Sequence, residues 1–159
     1  MKFFASASRA TEISNLLEQS RAYREYLQSV KERLPLSAFE FATAAWHYDY
    51  SDHRCPHDSW VESLTIDEPA RGRRLEDRSL RVSIRLLGAF HDGHLLFSYA
   101  DVQAYSLEGP KVRAGHGDWL VDEIRLSDNG FVLHEVLFSN DNHWLIEAKD
   151  ILCEWRPNA

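Results

Sequence analysis

Apolar side chains recur every three or four positions between Ser8 and Leu34, at Ile13, Leu16, Leu17, Tyr23, Leu27, Val30 and Leu34. That is the stripe of an amphipathic helix, and the spacing predicts one from about Ala10 to Arg33. Ser8 or Thr11 is placed to accept the free amides at its start, and Pro35, which has no N–H, stops it. On the other face Glu18/Arg21, Arg21/Glu25 and Gln28/Glu32 lie three or four apart, which suits a solvated side. Ser37 is a candidate cap for a second short helix through Phe39–Trp46, although the same apolar density also suits a buried strand.

After His47 the period changes to two. Leu80, Val82, Ile84 and Leu86 alternate with Arg81, Ser83 and Arg85, which sends apolar and polar groups to opposite faces of a strand. His91-Asp92-Gly93-His94 follows with the Asp-Gly pair that tight hairpins favour, and Leu95, Phe97 and Tyr99 alternate beyond it. Trp119–Leu126 and Phe131–Phe138 bracket Ser127-Asp128-Asn129-Gly130, a second hairpin signal. Trp144, Ile146 and Ala148 continue the alternation, then Ile151, Cys153 and Trp155, with a turn or bulge expected at Asp150. Asp67–Ser79 and Glu108–Gly117 are too charged or turn-rich for a ladder and read as exposed loops. A helical N-terminal region followed by about seven strands on short turns, without βαβ alternation, predicts an α+β fold with an antiparallel sheet.

Composition adds little to this and excludes much. With 159 residues, 44% apolar and 27% charged, the chain is globular, and one domain spanning 1–159 is expected. It contains no apolar run approaching the roughly 20 residues of a membrane helix. The apolar core of its first residues is shorter than the roughly 7 of a signal peptide, so cytoplasmic residence is the default expectation. Phosphate-loop and dinucleotide glycine patterns are missing, and no nucleotide cofactor is expected.

Charge is unevenly placed. The formal net charge is −7, and residues 117–159 carry 9 acids against 3 bases, so most of the excess lies in the last quarter of the chain. If these residues fold as adjacent strands, Asp118, Asp122, Glu123, Asp128, Glu135, Asp141, Glu147, Asp150 and Glu154 make one negative surface that attracts a basic partner. The same field repels phosphate backbones, which argues against direct nucleic-acid binding. The plainer reading is a solubilising sheet face. Trp119 and Trp144 lie in the same stretch and are candidate interface anchors, or simply core.

Reactive groups are densest in Trp46-His47-Tyr48-Asp49-Tyr50-Ser51-Asp52-His53-Arg54-Cys55-Pro56-His57-Asp58. In an extended backbone His53, Cys55 and His57 point the same way, and imidazole with thiolate is a zinc ligand set. A metal-dependent hydrolase on these three residues is therefore the catalytic alternative, with Cys55 as a further candidate nucleophile. Against it stand Pro56, the lack of a Cys-x-x-Cys pair and the adequacy of ordinary turn bonding. His91-Asp92-Gly93-His94 and Gly115-His116-Gly117-Asp118 each place imidazole near carboxylate, but turn chemistry explains both. Asp122 and Glu123 fall on opposite strand faces, which disfavours a two-carboxylate site. No catalytic residue set is assigned, and the reading leans away from an enzyme.

A single cytoplasmic α+β domain of this size, without a catalytic signature and with its acids gathered in Asp118–Glu154, resembles the immunity proteins of bacterial polymorphic-toxin and contact-dependent inhibition systems. The resemblance is one of class. It implies a protein that neutralises a cognate toxin, often a basic nuclease domain, by presenting carboxylates to its cationic cleft, with Asp118, Trp119, Asp122, Glu123, Asp128, Glu135, Asp141, Trp144 and Glu147 as the contacting residues. A third expectation, from another class, is a subunit that associates through a sheet edge.

Overall fold

A computed structural model describes residues 1–4, 13–109 and 115–158. Helix α1 runs from Ile13 to Val30 and tightens into one 3-10 turn over Lys31–Arg33. The anticipated stop is real: Leu34, immediately before Pro35, is extended at φ −83° and ψ 143°, as steric conflict with a following proline ring requires. The predicted caps Ser8 and Thr11 lie outside the described residues. Tyr23, Leu27, Val30 and Leu34 are buried, as the stripe required.

Helix α2 spans Leu36–Thr43, earlier than predicted, with Pro35 at its N-cap position and no side-chain cap. Ser37 is therefore not a cap. Its hydroxyl donates instead to Asp150, tying α2 to the far strand. Trp46 falls beyond the helix, in a series of turns.

Among the described residues eight strands follow: β1 Trp60–Asp67, β2 Ala70–Arg71, β3 Asp77–Arg78, β4 Arg81–Leu87, β5 Gly93–Leu107, β6 Trp119–Leu126, β7 Val132–Phe138 and β8 His143–Pro157. Six form an antiparallel sheet in the order β1-β4-β5-β8-β7-β6, while β2 and β3 make a separate two-stranded ribbon. The fold is α+β. Two expectations need correction. The stretch from Asp67 to Ser79 is exposed as predicted but is not wholly loop, because Ala70 and Arg71 pair with Arg78 and Asp77. The last strand is not broken at Asp150: β8 is continuous, and the irregularity lies in β5, where Asp101 has φ +47° and the register shifts between Val102 and Ala104. Burial changes phase on both strands at that point, from Tyr99 to Val102 and from Ala148 to Ile151.

Strand β1 escaped the pattern reading. Its inward residues Val61, Leu64 and Ile66 face Leu86, Ile84 and Val82, but the register shift around Glu62 interrupts the alternation. The core lies between the helices and one sheet face. Within it Phe97 stacks on Trp119 with centroids 5.4 Å apart, and Phe138 meets Trp144 edge-on at 4.9 Å.

The two edges of the sheet differ. Along β6, side chains stand in for a seventh strand. The Tyr23 hydroxyl donates to the Ile124 carbonyl at 3.1 Å and accepts the Ile124 amide at 2.6 Å. Tyr26 accepts the Leu126 amide at 2.8 Å, Tyr48 donates to the Asp122 carbonyl at 2.8 Å, and His57 bonds the Leu120 carbonyl at 2.8 Å. At the strand's start Trp119 exchanges backbone bonds with Asp58 and Ser59. Unpaired strand edges invite association, and this one is closed residue by residue.

The Tyr23→Phe variant tests that closure. It keeps the ring and leaves both backbone groups of Ile124 buried without their partner, a loss of about 1–3 kcal/mol. The denaturant midpoint should fall with an unchanged slope; an unaltered midpoint would show that the hydroxyl is dispensable.

Candidate functional site

The acids expected to form one surface are divided among different tasks. Asp122 is 1% exposed and Glu123 and Glu135 are also buried. Glu123 accepts backbone amides of Phe3 at 2.9 Å and Phe4 at 3.3 Å, and lies 2.7 Å from Arg125 Nε. Glu135, directly across the ladder from Glu123, pairs with Arg125, the Met1 amine and His143. Burial alone would push its carboxyl up, but the amine and the guanidinium outweigh that and hold it below the usual range. Two like charges facing each other across strands repel, and Arg125 is the group that reconciles them.

Trp119 and Trp144 are also inside, fully buried. The anchor role assigned to them is corrected: Trp119 Nε1 donates to Asp122 and Trp144 Nε1 to the Glu108 carbonyl, both at 2.9 Å. Asp118, Asp128 and Asp141 remain exposed and Glu147 is half-buried, yet Asp128 sits in the β6–β7 turn while Asp118 and Asp141 lie at the opposite ends of those strands. Asp150 is bonded to Ser37 and Glu154 to Arg156. The single negative surface therefore does not form, because three of its nine members, Asp122, Glu123 and Glu135, are buried against donors inside the protein.

What the sequence reading missed is the network centred on Asp122. Its carboxylate accepts Trp119 Nε1 at 2.9 Å and contacts His47 Nε2 at 2.9 Å and His134 Nε2 at 3.0 Å. Tyr99 meets His134 Nδ1 at 2.7 Å. With Nδ1 of His134 on the Tyr99 hydroxyl, Nε2 is turned to Asp122. Burial pushes the Asp122 carboxyl up, but the two imidazoles and their bonds outweigh it and hold the group far below the usual carboxylate range. Phe41 and Tyr48 stack on either side of His47 at 4.2 and 4.1 Å. The arrangement has acid–base components, but every oxygen is bonded and the whole is enclosed, so it works as a polar clamp.

The proposed zinc ligands do not converge. Their segment is a run of turns, so the rule that alternate residues share a side does not apply. His53 pairs with Asp92 and stacks on Phe90, His57 bonds Leu120 and stacks on Tyr50, and Cys55 is buried with its thiol donating to the His47 carbonyl at 3.1 Å. Among the described residues no group of three His, Cys, Asp or Glu is arranged to hold a metal. Burial pushes the Cys55 thiol up to about 11, the reverse of an activated nucleophile. His116 packs edge-on against Trp144 at 5.0 Å, and burial lowers its pKa.

These same turns build a different surface. At the end of the sheet formed by the β4–β5 turn, the start of β1 and residues 50–58, three large aromatics stand exposed: Tyr50 at 60%, Trp60 at 49% and Phe90 at 49%. Each is steadied by an imidazole, with His57 stacked on Tyr50 and His53 on Phe90 at 4.1 Å, and His91 edge-on to Trp60 at 4.8 Å. Asn158 bonds the backbone of His91 and Asp92. Behind the turn Trp155 packs so closely that a Cβ on Gly93 would lie 2.3 Å from its ring, which is why this position takes glycine.

The chain matches no protein-family model, no curated protein and no solved structure. The functional reading therefore rests on these contacts. No helix among the described residues is long and apolar enough to cross a membrane.

Asp122 makes stability depend on acid in a defined direction. Its folded value is depressed, so its contribution is complete above the unfolded value of about 3.9 and is lost progressively as pH falls below it. The urea midpoint should drop below about pH 4. The Asp122→Asn variant should lose about 3–5 kcal/mol at neutral pH and show a flatter acid limb; an equally steep limb would assign it to other carboxylates. A second check is chemical: Cys55 should alkylate in the native protein only as fast as the chain opens, and fast labelling at mildly alkaline pH would contradict its burial.

Proposed function

We propose that this chain is a protein-binding module of the immunity type, which occupies a basic toxin domain through the aromatic end of its sheet. One observation carries the reading: Tyr50, Trp60 and Phe90 are each exposed and each held by a stacked or edge-on imidazole, with Phe90 in the β4–β5 turn and Trp60 packed on His91 of the same turn. Trp and Tyr dominate the energetics of protein interfaces, and side chains already ordered in the free state lose less entropy on binding. The role given to the C-terminal acids moves with this. The net charge of −7 still attracts a cationic partner at long range and raises its association rate, but the contact itself belongs to the aromatics. Both cysteines are unpaired, which supports action in a reducing cytoplasm.

The test is the product of a neighbouring reading frame. Cells producing a basic toxin domain from that frame should survive only when this chain is co-produced. Trp60→Ala with Phe90→Ala should keep the native melting temperature and weaken the complex about 30-fold or more, the equivalent of one lost anchor. Undiminished affinity in that double variant, or a neighbour that this chain does not bind, would refute the reading.

A further inference from the structure

Between α1 and the turn that follows α2 lies a cavity of about 540 Å³, a size within the range of small-molecule sites. Small side chains leave this room: Ala42, Ala44 and Ala45 line one wall. That wall is fixed by the bonds from the Ala44 amide to the Phe41 carbonyl and from the His47 amide to the Ala44 carbonyl. Phe4, Tyr23 and Tyr48 also line the cavity. Phe4 meets Tyr23 edge-on at 5.3 Å and Tyr48 at 5.5 Å, and the two tyrosines meet edge-on at 6.2 Å. Their hydroxyls are spent on the carbonyls of Ile124 and Asp122 in β6. The rings are therefore set by bonds made elsewhere, and a preformed surface loses less entropy on binding.

Opposite charges border the same space. Arg24 comes from α1 and Asp49 from the turn after α2. Among the described residues Arg24 has no hydrogen-bond or ion-pair partner, whereas its neighbour Arg21 pairs with Glu25. Asp49 uses one oxygen, Oδ1, to accept the amide and hydroxyl of Ser51 at 3.0 and 2.6 Å. Those bonds hold its carboxyl below the usual range, so it is charged at neutral pH. We propose that the cavity takes a free α-amino acid with an aromatic side chain, its carboxylate on Arg24, its ammonium on Asp49 and its ring against Phe4, Tyr23 and Tyr48. A guanidinium offers a carboxylate two parallel N–H donors, and an aromatic ring adds edge-to-face contacts to the rings already present. A ligand of one charge would be drawn by one wall and repelled by the other; a zwitterion answers both.

This inference is independent of the toxin-binding reading, and the cavity shares no residue with the aromatic turn. Titrating the full chain with L-phenylalanine should shift the NMR signals of the Ala44 and Ala45 amides saturably. The expected Kd is about 1 mM or tighter, the ordinary efficiency of a ligand of about a dozen non-hydrogen atoms. Hydrocinnamate, which lacks the amine, and phenethylamine, which lacks the carboxylate, should each bind about 10-fold more weakly, as the loss of one charged hydrogen bond entails. Arg24 and Asp49 are exposed, so Arg24→Met and Asp49→Asn keep the fold, as circular dichroism will confirm. The Arg24→Met chain should bind L-phenylalanine no better than it binds phenethylamine, and the Asp49→Asn chain no better than it binds hydrocinnamate. The proposal is overturned by the lack of a saturable shift up to about 10 mM, by equal affinity for the three compounds, or by variants that bind L-phenylalanine as the native chain does.

Discussion

The buried Asp122 carboxylate is the constraint around which the packing is arranged. A charge in a sheet core is tolerated only when donors surround it, and here they come from separate parts of the chain: His47 from the turn after α2, Trp119 from its own strand and His134 from β7. Tyr99 on β5 then fixes the ring of His134. One ion thus sets the position of the post-α2 turn relative to three strands, and the aromatic rings stacked about it leave no room for slippage. Both carboxylate oxygens of Asp122 are satisfied, while among the described residues the far ring nitrogen of His47, Nδ1, is buried without a partner.

The helices serve the sheet by more than covering it. Tyr23 and Tyr26 project from α1 onto the open side of β6, and Tyr48 and His57 continue the row. Four side chains thereby do the work of a neighbouring strand, and the aromatic bodies of the tyrosines add apolar area to the contact. Among the described residues edge β1 has no such cover.

Acidic residues illustrate why net charge describes association and not architecture. Glu123 and Glu135 face one another on the side of the sheet away from Asp122, as the alternation of strand side chains requires. They are neutralised by Arg125 and the first residues of the chain. These internal pairs remove Glu123 and Glu135 from the solvent-facing charge of the molecule.

Local periodicity determined much of this protein: the α1 stripe, its arrest before Pro35, the β4–β5 and β6–β7 hairpins and the α+β class follow from side-chain spacing and turn chemistry, which act within a few residues. Strand β1 was illegible because the shift at Glu62 breaks the period that reveals strands. The position of Ser37 was misjudged because its partner Asp150 lies 113 residues away. Only the tertiary structure decided that Asp122 and Trp119 face inward, that His53, Cys55 and His57 part company, and that Trp60 and Phe90 stand exposed at one turn. Burial, pairing and stacking are relations between residues distant in the chain, and a carboxylate's place inside or outside depends on whether distant donors reach it.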